Sequence, residues 1–91
     1  MWNFDIMFSY MELHERIKYE RKRAGLTLIR LSRLANVSYG MLYRLEDGAI
    51  SQPNPALLKA VLGPLGVEYR KFLEEYNYIN IDNNRIMNLI N

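Results

Sequence analysis

Apolar residues recur at helical spacing through most of this chain. Leu13 and Ile17 stand i, i+4 within Glu12 to Ala24, and Gly25 closes the segment, so a first helix is expected there. Leu31, Leu34 and Ala35 give a second helix an inward face. Thr27 precedes it, with a hydroxyl able to accept from the orphan amides of the first turn. Asn36 follows, a residue type that tolerates left-handed backbone better than most. Val37 is expected to plug the corner and Ser38 to cap a third helix running to Asp47. That helix turns Leu42 and Leu45 inward, with Gly48 just past its end.

Ala49 to Pro53 reads as a loop, and Asn54-Pro55 as a helix start with the cap at asparagine and proline at the first helical position. Leu57, Leu58, Val61, Leu62 and Leu65 then make the most hydrophobic helix of the chain. Pro64 removes the bond to Ala60 and is expected to kink the last turn, with Gly66 ending the helix. Glu68 to Tyr76 forms a fifth helix through Tyr69, Phe72 and Leu73. The ends carry a different period. Phe4, Ile6, Phe8 and Tyr10 alternate with Asn3, Asp5, Met7 and Ser9, and Tyr76 to Ile81 is the other strand-like stretch. Either these segments pair, within one chain or across a dimer, or the first ten residues are a loose arm before a domain opening at Met11. Asp82 is placed to cap a short helix carrying Ile86, Leu89 and Ile90. The organisation is thus an arm at 1–10, an all-α five-helix domain at 11–79, and an extension at 80–91 that includes a short helix suited to dimerisation.

Ninety-one residues suit one domain with a modest core. The absence of cysteine excludes a disulfide framework and a thiolate metal site, and fits a cytoplasmic setting. No run approaches the roughly 18 apolar residues that span a bilayer. Met1 to Tyr10 lacks the basic start and small-residue cleavage site of a signal peptide. The net charge of +2 hides an asymmetry: residues 11–44 hold eight basic side chains against three acidic, residues 45–91 four against six. A half at +5 points to a polyanionic partner. A solvated face explains the charges of the first helix about as well.

The run from Leu26 to Gly48 holds two short amphipathic helices joined by a turn too short to let them separate, the usual device for offering one helix to the DNA major groove. It resembles the Cro and phage-repressor class of helix-turn-helix regulators, often called XRE-type. The resemblance is carried by Arg21, Gly25-Leu26-Thr27, Leu31 to Ala35, Asn36-Val37-Ser38 and Leu45-Glu46-Asp47-Gly48. It continues through Pro53-Asn54-Pro55, Leu57-Leu58-Lys59, Pro64 to Tyr69 and Asn77-Tyr78-Ile79, and covers roughly residues 11–79.

That resemblance implies a lambda-repressor-like fold and a homodimer on double-stranded DNA. It also implies an internal ion pair between Arg21 and Glu46, and base reading from the start of the third helix: Ser38, Tyr39, Gly40, Tyr43 and Arg44. Arg44 is the foremost candidate, because a guanidinium can bond the guanine O6/N7 edge bidentately. Tyr39 and Tyr43 suit phosphate or a thymine methyl. Thr27 and Leu28 place the second helix's N-terminus against a phosphate.

Departures from the class matter too. Leu28 stands where many members carry glutamine, and Gly40 where a longer polar side chain usually reads a base. The 49–54 loop has no lysine or arginine, Ser32 replaces a small alanine, and Asn36 replaces the turn glycine. Leu28, Ile29, Tyr39, Met41 and Tyr43 are expected to form an exposed apolar patch, which favours the alternative of a helix-turn-helix fold used for protein contact. A further alternative is that the chain is the N-terminal part of a longer regulator. Catalysis is not expected: no phosphate loop, nucleophile elbow or metal-spaced cluster is found, and Glu74-Glu75 reads as a solvated pair. The single histidine, His14, reads as a surface residue, the seven tyrosines are scattered, and neither a small-molecule cofactor nor a membrane partner is indicated. The expected role is therefore DNA-binding regulation of transcription, as a repressor.

Overall fold

The computed structural model describes residues 11–75. Among them are five helices and no strand: α1 Leu13–Arg23, α2 Leu28–Ala35, α3 Tyr39–Asp47, α4 Pro55–Leu62 and α5 at 69–75. The strand-like stretches of the two termini, the arm at 1–10 and the extension at 80–91 lie outside the described residues.

Helices of eight or nine residues are too short to persist alone in water, so their ends and their packing must hold them. Thr27 Oγ1 accepts from the Arg30 amide at 3.1 Å, Ser38 Oγ from Met41 at 3.1 Å and Asn54 Oδ1 from Leu57 at 2.8 Å. Each such cap is worth about 1 kcal/mol. At the start of α1 the Glu12 amide donates to Glu15 Oε1 at 3.0 Å. Asn36 sits at φ 56°, ψ 42°, the left-handed conformation its position between α2 and α3 demands. The Val37 amide then reaches back to the Ser32 carbonyl at 3.0 Å, so the corner closes within residues 36–38.

The core draws on every helix. Ile17 comes from α1, Leu31 and Ala35 from α2, Leu42 and Leu45 from α3, Leu58, Val61 and Leu62 from α4, and Phe72 from α5. Fully burying a side chain of this size contributes about 1.5–3 kcal/mol. Val37, Leu57, Leu65, Tyr69 and Leu73 pack around its edge. α3 packs against both α1 and α2, and α2 also against α4.

Two expectations are corrected. Leu34 does not face inward; it is 48% exposed, and Ser32 takes the buried place. Successive helical residues are about 100° apart, so Ser32 and Leu34 flank the face set by Leu31 and Ala35 at equal angles, and the packing of α2 against α3 and α4, not the spacing, turns the Ser32 side in. The Ser32 hydroxyl donates to the Ile29 carbonyl at 2.7 Å, so its burial leaves no polar group unpaired. Pro64, for its part, does not kink α4, because the helix stops at Leu62 before the missing N–H is needed. Residues 63–66 form a turn instead, with amide bonds from Leu65 and Val67 to the Leu62 carbonyl, each at 3.1 Å.

α3 ends at Gly48 with φ +84°, and a Cβ added there would meet the His14 ring at 3.1 Å. His14 is thus half-buried over the end of α3, with Nδ1 3.4 Å from a Glu12 carboxylate oxygen. Gly48→Ala is expected to cost about 1–2 kcal/mol, through left-handed backbone strain and the ring clash together. Adding His14→Ala should remove only the clash, so the double variant should lose less than the two single losses combined. Urea unfolding midpoints of the three variants test this; an unchanged midpoint for Gly48→Ala rules out both causes.

Candidate functional site

One buried ion pair sets where α3 lies. Arg21 on α1 places Nε 2.8 and 3.1 Å from the two carboxylate oxygens of Glu46 on α3. Its Nη1 donates to the Leu26 carbonyl at 2.8 Å, which ties in the connection leading to α2. Arg21 and Glu46 are only 8% and 7% exposed. Among the described residues no buried side-chain nitrogen or oxygen lacks a partner. Charge-assisted bonds of this kind are directional; they orient α3 against α1 in a way that Ile17, Leu42 and Leu45 alone, being non-directional contacts, do not.

With Leu42, Leu45 and Glu46 turned in, α3 turns Tyr39, Gly40, Met41, Tyr43 and Arg44 out. Tyr39 and Tyr43, one turn apart, stack with ring centroids 6.4 Å apart and planes 25° from parallel. Arg44 is exposed and has no ion pair or hydrogen bond among the described residues, so its guanidinium is free to take an external acceptor. Ser38 is exposed at the start of α3, where its hydroxyl caps the helix. The outward face therefore offers one unpaired cation beside two phenols.

The α2 residues are placed differently. Thr27 is exposed, but its hydroxyl is engaged by the Arg30 amide. Leu28 is half-buried and packs against the core, so it does not belong to the expected exposed apolar patch. Its side chain helps hold α2 in place. Among the described residues the exposed large apolar ones are instead Ile29, Leu34, Tyr39, Met41 and Tyr43. Arg30 and Arg33 lie exposed on α2 outside the set expected from sequence.

Sequence reasoning also missed Arg16. Its Nη2 bonds Glu75 at 2.9 Å, its Nε bonds Glu20 at 3.4 Å, and its guanidinium lies 5.3 Å from the Phe72 ring centre. This group fastens α5 to α1; the i, i+4 spacing of Arg16 and Glu20 is the one local signal for it, and Glu75 lies 59 positions away. Glu12, His14 and Glu15 bring carboxylate and imidazole atoms within 4.8 Å of one another. Glu15 Oε1 already accepts from the Glu12 amide, so the cluster serves the start of α1.

A family model described as helix-turn-helix matches residues 17–72. No curated protein and no solved structure matches the chain.

Removing either member of the buried pair strands the other charge, so Arg21→Ala and Glu46→Ala should each cost about 3–5 kcal/mol. The apolar double replacement Arg21→Met with Glu46→Leu should recover most of that loss, because no charge is then left buried. Chemical denaturation of the four proteins checks it. If either single variant unfolds at the wild-type midpoint, the pair does not hold α3.

Proposed function

The chain belongs to the XRE/Cro-type helix-turn-helix family, a family of DNA-binding regulators, and we propose that it is a transcriptional repressor that inserts α3 into the major groove of duplex DNA. The observation that carries this reading is the exposed, unpaired Arg44 on a helix braced from behind by Arg21 and Glu46. A fixed α3 lets one guanidinium be aimed at a guanine edge, a contact worth about 1–3 kcal/mol of discrimination. Tyr39, Tyr43 and Ser38 stand where they meet phosphate or base methyls, and the first amides of α2 after Thr27 face a phosphate.

The repressor acts as a homodimer on an inverted repeat with half-sites about one helical turn apart. Its role is binding in the cytoplasm, with no catalysis and no small-molecule cofactor. No helix among the described residues is long and apolar enough to cross a membrane. The exposed Ile29, Leu34, Met41 and the tyrosine pair favour a second reading, in which the same fold grips a protein partner.

Titration with random duplex DNA at about 50 and about 200 mM salt separates the two. Neutralising about three phosphates gives a roughly 40-fold loss of affinity over that range. No binding at the lower salt rejects the DNA reading and leaves protein contact. Arg44→Ala should weaken specific binding and relax one operator position; a site preference identical to the wild type excludes Arg44 from base reading.

A further inference from the structure

A groove opens between the start of α3, the 49–54 loop and α4. Val37, Ile50 and Leu57 line it, each packed against the core yet only half-buried. Met41, Pro53 and Ala60 continue the apolar lining, and the volume is about 630 Å³, a size at which pockets bury whole ligands. No described lining residue is charged. Two of the polar groups are already engaged, since Ser38 Oγ and Asn54 Oδ1 accept from the Met41 and Leu57 amides. The groove therefore offers apolar surface without a counter-charge, which suits neither a phosphate nor a charged small molecule.

The chain holds a segment of matching chemistry. Trp2, Phe4, Ile6, Phe8 and Tyr10 recur at period two, so an extended 2–10 puts all five on one face. Asp5 is the only charged side chain from Met1 to Tyr10. The point where this segment joins the domain also fits. His14, three residues after Met11, lies over Gly48, and Gly48 stands two residues before Ile50 in the groove lining. The nine residues of α3 span about 14 Å, whereas ten extended residues reach about 33 Å. Residues 76–91 start elsewhere: they follow Glu75, which bonds Arg16, and positions 14 and 16 point to nearly opposite sides of α1.

We propose that residues 2–10 dock in this groove of their own chain as an extended segment, apolar face inward. The contact covers the half-buried edge of the core between α3 and α4. It does not depend on the DNA reading of α3.

Trp2 is the one tryptophan of the chain, so its fluorescence reports the segment directly. In the intact protein Trp2 should emit to the blue of its position in concentrated urea and be shielded from acrylamide. Ala56→Glu puts a charge in the groove lining at an exposed position in the first turn of α4, where a carboxylate by itself favours the helix. With the groove filled, Ala56→Glu should instead lower the melting temperature by about 5 °C, and Phe8→Ala should do the same. Combining them should cost no more than either alone, because both remove one contact. Ala56→Glu should also return Trp2 emission to its urea position.

The proposal is overturned if native Trp2 is as exposed as in urea, or if Ala56→Glu leaves it shielded. It is equally overturned if Ala56→Glu melts at or above the wild type, or if the two losses add. Shielding of Trp2 that fades on dilution assigns the groove to the arm of a second copy and overturns docking within one chain.

Discussion

The contact between Arg21 and Glu46 is the constraint from which the geometry of this domain follows. Two charges have been taken out of water, which is costly unless their bonding is complete. It is complete here: Nε meets both carboxylate oxygens, and Nη1 meets the Leu26 carbonyl. Because these bonds are directional, α1, α3 and the turn into α2 are held in one arrangement. Apolar packing of Ile17 against Leu42 and Leu45 supplies attraction without specifying rotation. The ion pair specifies it, and so determines which residues of α3 look outward.

That division of labour explains how helices of eight or nine residues carry a precise surface. Each of α2, α3 and α4 begins at a side-chain cap, and the corner between α2 and α3 is closed by a left-handed Asn36. The exposed face of α3 is then free to hold residues that do nothing for the fold: a lone arginine, two stacked tyrosines and an unneeded glycine. The face is poor in polar groups for a DNA reader.

Much of the fold was legible in the residues because local chemistry decides it. Thr27, Ser38 and Asn54 cap helices wherever they stand before an apolar period, and Asn36 and Gly48 mark the ends that need left-handed backbone. The inward positions of Ile17, Leu42, Leu45, Leu58 and Phe72 follow from spacing. Leu34 was misread because Leu31 and Ala35 share a face that a third apolar residue does not have to join. Pro64 was misread because removing one amide bond can end a helix as easily as bend it, and local sequence does not weigh the two. Among candidate site residues, Leu28 packs on the core rather than on the exposed surface, a placement that its local pattern does not report.

Local pattern therefore determined the five helices, their caps and most of the core, since each depends on residues within one or two turns. The partners of Arg16, the burial of Leu28 and Ser32 and the place of His14 over Gly48 were decided by folding. Each depends on groups far apart in the chain or on space that no neighbouring residue reports. Arg21 with Glu46 lies between these cases. Family resemblance named the pair across 25 positions, but only packing of α1 on α3 could remove water from it and give it a fixed direction.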